Sequence, residues 1–330
     1  MLSQKQIRAA VIGAGEHGRN HARHYANLPG ADLVGIYDIR PDRCRAAAEE
    51  LGVRAFESLG ELWEAVEAVS IVIPTTHHAA VASEAFAHGI DVLLEKPVTR
   101  TVEEAEDLIR QAEAGGRILQ VGHVERFNPG VLAAREITHA PLFFEVHRLG
   151  VFSPRSLDVD VVYDLMIHDL DLVLWLAGSP ACEVRAVGLP VLSDKVDIAS
   201  ARVEFENGAV ANFTASRVST EKIRKFRYFQ PSEYISIDFT RQDVVVVGVD
   251  HSEPARQMTF RKLVTQPVQP LRAEIESFIE CVRTRHPPLA GGREGRQALA
   301  LAASVMGCIE EHAAKVHFRL AQPPGQSGES

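Results

Sequence analysis

Three clusters in this chain hold residues whose types and spacing could do chemistry. The first is Gly13-Ala14-Gly15-Glu16-His17-Gly18, a GxGxxG run with an apolar strand pattern before it and a helical pattern after it. Glycines at these points permit a tight turn and close approach of a pyrophosphate to the backbone. The helix that opens there offers free N–H groups and a positive dipole end. Glycine-rich turns are common without a ligand, but Asp38 follows the third glycine by 20 residues, which completes a dinucleotide-binding context. Asp38 could accept hydrogen bonds from both ribose hydroxyls of NAD and would repel a 2′-phosphate. Arg40 and Arg43 could accommodate that phosphate, so NAD is preferred to NADP without NADP being excluded. The plainer alternative for Asp38 is a solvated acid at a strand end.

The second cluster is Glu95-Lys96-Pro97, directly after the apolar Val92-Leu93-Leu94. Open α/β sheets place ligands at the carboxyl ends of their strands, so an ammonium here could reach a bound substrate. A lysine at a strand end is more often just solvated. The third is Asp164-Leu165-Met166-Ile167-His168-Asp169-Leu170-Asp171 in a helical pattern running to Trp175. Spacings of four and three put Asp164, His168 and Asp171 on one face. A histidine among carboxylates can serve as general base, because its pKa lies near working pH and its neighbours fix its tautomer. A buried histidine capped by acids, or a His/Asp metal site, would give the same pattern. No metal is expected, since hydride transfer needs none and no third ligand is evident.

The elements that must position these residues follow from the apolar pattern. Short apolar runs at 9–12, 33–37, 69–73, 91–94 and 118–121 alternate with amphipathic stretches at 43–51 and 78–88. Thr101-Val102-Glu103-Glu104 reads as a capping box opening a helix that Gly115-Gly116 stops. This is the grammar of a parallel sheet covered on both faces. Beyond residue 122 it changes to alternating strands at 141–150, 199–205, 209–217, 234–239 and 244–249, with a hairpin signal at Asn207-Gly208. Helical patterns at 271–285 and 293–314 close the chain. The expected domains are therefore 1–122, a dinucleotide-binding α/β domain; 123–320, a domain on an open, mostly antiparallel sheet; and 321–330, a flexible tail.

Composition bounds the function. The 330 residues include 44 acids and 35 bases, a net charge of -9, so general attraction for nucleic acid is not expected. No apolar run reaches the roughly 18 residues of a membrane helix. The opening residues lack the long apolar middle of a secretion signal, and a cytoplasmic location is expected. Cys44, Cys182, Cys281 and Cys308 form no CxxC pair and are read as buried free thiols.

Taken in order, Gly13/Gly15/Gly18, Glu95-Lys96-Pro97 and Asp164…His168 resemble the Gfo/Idh/MocA oxidoreductases over almost the whole chain. The resemblance implies an N-terminal Rossmann domain, a doubly wound parallel sheet, and a C-terminal α/β domain on a large open antiparallel sheet that mediates homodimers or homotetramers. It implies NAD-dependent oxidation of a sugar or cyclitol hydroxyl. It assigns Lys96, Asp164 and His168 to catalysis, and sets Glu16, His17, Pro74, Thr75, His78, Glu95 and Lys96 beside the cofactor with the glycines, Asp38 and Arg40. Many relatives carry glycines just before the aspartate, where this chain has Val161-Val162-Tyr163. Residues 121–129 and 164–171 are similar to the branch that oxidises the C3 hydroxyl of UDP-N-acetylglucosamine for lipid A-type glycans. That likeness adds His123, Arg126 and Tyr163 to a substrate site, although Arg126 could equally make an interdomain salt bridge. Dehydrogenation of another sugar or an inositol-like cyclitol, NAD-dependent glycoside hydrolysis, and non-enzymatic nucleotide sensing remain as alternatives.

Overall fold

The computed structural model describes residues 5–152, 159–250 and 257–316. The tail expected at 321–330 lies outside the described residues. The chain divides into two compact units, Met1–Asn128 with Val268–Leu299, and Pro129–Pro267 with Ala300–Ser330.

In the first unit six parallel strands form one sheet: β1 (Ile7–Ile12), β2 (Ala31–Tyr37), β3 (Arg54–Ala55), β4 (Ala68–Ile71), β5 (Asp91–Leu94) and β6 (Leu119–Val121). Their order is β3-β2-β1-β4-β5-β6. The strand order reverses beside β1, and that reversal leaves a ligand crevice at the carboxyl ends. The connecting helices are α1 (Glu16–Ala26), α2 (Pro41–Leu51), α3 (Leu59–Ala65), α4 (His78–Ala87) and α5 (Val102–Gly115). β4 and β5 are buried at every position, as a sheet covered on both faces requires. The capping box is half realised. Thr101 Oγ1 accepts from the Glu104 amide at 3.2 Å, while the Glu104 carboxylate accepts from the Arg100 amide rather than that of Thr101.

The second unit carries α6 (Pro129–Ile137), β7 (Phe143–Val151), α7 (Ile167–Ala177) and the run β8 (Ala181–Leu189), β9 (Ile198–Phe205), β10 (Val210–Ser219), β11 (Ile223–Gln230), β12 (Glu233–Asp238), β13 (Asp243–Asp250) and β14 (Gln257–Leu263). The eight strands stand in the order β14-β13-β12-β11-β7-β10-β9-β8. Neighbours are antiparallel except β7 and β10, which run parallel. Asn207-Gly208 lies in the β9–β10 hairpin, as its dipeptide signals. On one face Phe144, Val146, Phe213, Phe226 and Tyr228 are buried. On the other, Phe143, Phe229 and Tyr234 form an aromatic ladder with ring centroids 5.7 and 5.1 Å apart.

Two further helices follow among the described residues, α8 (Pro270–Thr284) and α9 (Gly292–Lys315). Their positions match the periodic pattern, but the single break expected after residue 122 is replaced by a break at residue 128 and a return of 268–299 to the first unit. The return has a packing cause. Ile275, Phe278, Ile279 and Val282 of α8 are buried in one cluster with Ala22, Tyr25 and Leu28 of the first unit. The Arg285 guanidinium then clamps Asp91 through two bonds of 2.6 and 2.9 Å. Cys44 and Cys281 are buried as expected, but Cys182 is exposed on the strand that ends the sheet. Among the described residues no helix is long and apolar enough to cross a membrane.

Candidate functional site

At the carboxyl ends of β1, β2 and β4 the first unit opens a cavity of about 520 Å³. Gly13, Gly15, Asp38, Arg40 and Pro74 line it, with Ile39, Arg43, His77 and Val81. The three glycines have different duties. A Cβ on Gly13 would fall 2.1 Å from the Val72 carbonyl oxygen, and one on Gly18 would fall 1.8 Å from that of Gly13. Both are therefore needed for the chain to close on itself. A Cβ on Gly15 would meet no protein atom within 4 Å. Its open side faces the groove, the place where a pyrophosphate needs bare backbone. These residues fit a dinucleotide. Gly15→Val should therefore raise the Kd for NAD by about tenfold or more, in line with roughly 1–3 kcal/mol for overpacking a close contact. The melting temperature should stay near that of the parent, whereas Gly18→Val should unfold the unit. Isothermal titration with NAD beside thermal denaturation separates the two outcomes.

Asp38 is held in place for its task. Its Oδ2 accepts from the Ala14 amide at 2.7 Å and its Oδ1 from the Arg40 amide at 2.9 Å. Arg40 pairs with Asp42 at 2.9 Å, and Arg43 reaches to 4.0 Å from Asp38 itself. Both guanidiniums that could have received a 2′-phosphate are thus turned toward carboxylates.

Glu95 sits at the end of β5 and draws the first turn of α1 to it. Its Oε1 accepts from His17 Nε2 at 2.9 Å and from His21 Nε2 at 3.2 Å, and its Oε2 accepts from the Lys96 amide at 3.2 Å. Burial opposes ionisation of Glu95, yet the bonds from His17 and His21 outweigh it and hold the carboxyl well below its usual range. The bond to Glu95 raises His17, while burial lowers His21. The His17–Glu95 pair therefore stabilises the fold in a bounded window. The Glu95 share is present above pH 4.5 and fades as pH falls through its depressed pKa. The His17 share is complete below pH 6.5 and fades as pH rises through its raised pKa. The melting temperature of the parent should exceed that of His17→Gln most between pH 4.5 and 6.5, and converge with it in alkali. A pH series of thermal melts checks this.

The remaining expected cofactor residues divide. Glu16 is exposed on the first turn of α1, in a neighbouring arginine-lined concavity with Arg19, Arg23 and Arg43. Thr75 opens a single 3-10 turn, Thr75–His77, and is half-buried. His78 is fully buried, with Nε2 at 2.9 Å from the Ile73 carbonyl and Nδ1 at 3.0 Å from that of Pro97. It braces the loop after β5 against the loop after β4, and its neighbour His77 is the histidine that lines the groove. Lys96 is half-buried beside these groups, joined to Pro97 by a cis peptide. His123 and Arg126, expected at a substrate, are both 2% exposed. Arg126 Nη1 donates to the Leu289 carbonyl at 2.8 Å, which ties the 289 loop to the segment after β6 within the same unit.

In the second unit Asp164 lies in a π-helical turn, Val162–Met166, that runs into α7. Such turns are rare and frequent at functional sites. Val161 and Val162, which precede Asp164, are fully buried. Burial, assisted by the Asp160 charge, raises the Tyr163 phenol. Tyr163, Asp164 and His168 are half-buried, whereas Asp169 and Asp171 are buried. Asp169 instead takes the Arg148 guanidinium in two bonds of 2.8 and 2.7 Å, fixing α7 to β7.

A glycine turn that fits a pyrophosphate, an acid placed for a ribose and a parallel sheet reversing at β1 make the first unit the nucleotide domain of an NAD-dependent oxidoreductase. Residues 7–123 match the model described as "Oxidoreductase family, NAD-binding Rossmann fold", and residues 143–235 match the Gfo/Idh/MocA C-terminal domain. The chain belongs to the Gfo/Idh/MocA oxidoreductase family. It is 40% identical to a UDP-N-acetylglucosamine 3-dehydrogenase from Acidithiobacillus ferrooxidans over 92% of this chain and 97% of that one. A solved structure of a UDP-N-acetylglucosamine 3-dehydrogenase from that organism superposes with a TM-score of 0.88 at 39% identity, covering 93% of this chain and 99% of the other. A myo-inositol 2-dehydrogenase from Thermotoga maritima is 26% identical over 92% of this chain and 97% of its own.

The expectations for fold, family and NAD are met. Ile39, His77 and His21 were not foreseen as site residues. The signal for Ile39 was a lone apolar residue directly after the ribose acid. The signal for His21 was its spacing of four from His17.

Proposed function

We propose that this chain oxidises the C3 hydroxyl of UDP-N-acetylglucosamine to the 3-keto sugar with NAD, in the cytoplasm, for amino-sugar glycans of the lipid A type. The observation that carries this reading is the 40% identity to a UDP-N-acetylglucosamine 3-dehydrogenase across 92% of the chain, well above the 26% to the inositol enzyme. NAD, when bound, takes up the hydride. His168 accepts the hydroxyl proton as general base. Asp164, four residues before it, orients the imidazole or the sugar. Lys96 donates a hydrogen bond to the sugar oxygen and stabilises the negative charge that develops there. Tyr163, His123 and Arg126 complete the proposed set of sugar-binding residues. Glu95 positions Lys96 through its amide. Free thiols at all four cysteines suit a reducing compartment.

The test is NADH absorbance with UDP-N-acetylglucosamine, free N-acetylglucosamine, glucose and myo-inositol as substrates. The reading requires turnover with the UDP-sugar to exceed that with each free sugar. A preference for myo-inositol would move the chain to the cyclitol enzymes, and sugar release without net NADH would indicate the hydrolase chemistry.

Assembly through the open sheet is part of the same proposal. Val210, Phe143, Phe229, Tyr234, Val247 and Phe260 are successive pairing partners from β10 to β14, and so form one apolar row across the sheet. Phe260 is 71% exposed in the isolated chain. A second copy laid on this row would cover it. Phe229→Arg should convert a dimer or tetramer to monomer in light-scattering chromatography. An unchanged mass would place the interface elsewhere.

A further inference from the structure

We propose that His17, His21 and Glu95 form a binding site for a zinc-class divalent cation, reached from solvent past His17. The two histidines are four residues apart on α1, so their rings rise from one face of the helix, the spacing by which paired histidines hold zinc. The third donor comes from the end of β5. His17 Nε2 and His21 Nε2 stand 2.9 and 3.2 Å from Glu95 Oε1, and the three donor atoms all lie within 4.8 Å of one another. Zinc bonds of about 2.0–2.1 Å in a tetrahedron separate their ligands by roughly 3.3 Å, so the donors need small shifts to surround an ion. Two imidazoles and a carboxylate are a known zinc set, and they leave the fourth position to water.

The surroundings support the donors. His21 Nδ1 lies 3.2 Å from Ser70 Oγ, which is bonded in turn to the Tyr25 hydroxyl at 2.8 Å. That chain sets the ring plane and directs Nε2 at Glu95, the outer support that metal-binding histidines require. His21 is fully buried and the Glu95 side chain is 12% exposed, while the His17 side chain is 53% exposed and provides the way in. A Cβ on Gly122 would fall 2.8 Å from Glu95 Oε1, so that glycine is what leaves the carboxylate its place. Binding replaces the hydrogens that now bridge nitrogen and oxygen.

Local spacing along the chain points to His168 and its acids as the metal-type pattern, not to this cluster. These three ligands come from two distant segments, and only folding brings the third to the pair. An occupied site would put a dication beside the residue preceding Lys96, so zinc should also slow turnover. That consequence rests on the proposed function; binding itself does not.

The experiment titrates metal-free, full-length protein with Zn²⁺ against a chromophoric chelator, and with Co²⁺ while its electronic spectrum is followed. The expected result is one equivalent bound and the intense visible bands of tetrahedral cobalt. His17→Ala should weaken binding by about tenfold or more. His17→Cys should restore it and add a thiolate-to-cobalt charge-transfer band. The half-exposed position of His17 makes both variants compatible with folding. Equal Zn²⁺ affinity in parent and His17→Ala, or binding to the parent only at millimolar metal, would overturn the site.

Discussion

Lys96→Met should lower kcat by about 10²–10³-fold, the effect of removing one donor to a developing oxyanion. The affinity for NAD should be nearly unchanged. Lys96 is the second residue after β5, at the end of the sheet where ligands gather, and its backbone is fixed by its own amide on Glu95 Oε2 at 3.2 Å. Methionine keeps the length and the apolar stem and removes only the ammonium. The residues that fit the dinucleotide are elsewhere, in the turn at Gly13–Gly18 and at Asp38, so its binding has no reason to follow. Single-turnover hydride transfer, with NAD titrated separately, checks the split. A fall in NAD affinity that accounts for the whole loss would make Lys96 a cofactor anchor and remove it from the chemistry.

Asp169→Ala should destabilise the second unit by about 3–5 kcal/mol, the cost of leaving one member of a buried ion pair without the other. Arg148 and Asp169 have side chains only 6% and 4% exposed, and they meet in a two-bond fork. Removing the carboxylate takes two charge-assisted bonds from a buried guanidinium, whose carbon lies 5.6 Å from the Phe239 ring centre. For a domain of this size the fall in melting temperature is on the order of 10 °C. Because Asp169 adjoins His168, the variant should also lose activity before it unfolds. The double variant Arg148→Met with Asp169→Leu should recover much of the stability, since a matched apolar pair avoids the stranded charge. Failure of that rescue would show that the fork supplies orientation that packing cannot replace.

The sheet orders illustrate what periodicity can reveal. The parallel strands β1, β2, β4, β5 and β6 announce themselves because both faces are largely buried and most of their residues are apolar. β11 does not. Lys225 and Arg227 interrupt it, because its second face is open while Phe226 and Tyr228 fill the core. β8 and β14 are sheet ends with mostly exposed or half-exposed residues, and their sequences carry little alternation for the same reason. The site divides in the same manner. Gly13, Gly15, Gly18 and Asp38 are legible because a pyrophosphate turn and a ribose acid follow each other at fixed spacing along one βαβ unit. His78 and Arg126 carry plausible residue types at plausible places, and only packing shows that both are buried and bonded to backbone carbonyls.

The linear order of residues determined the nucleotide turn, its acid, the lysine after β5 and the aspartate–histidine helix, because each is a local pattern whose geometry is set within one or two elements. Tertiary structure alone decided that α8 returns to pack against α1, that Asp169 faces Arg148 rather than a ligand, and that Glu95 closes on His17 and His21. Those pairings join residues from 21 to more than 200 positions apart. Their partners are selected by burial and charge compensation in the folded chain, to which no local spacing gives access.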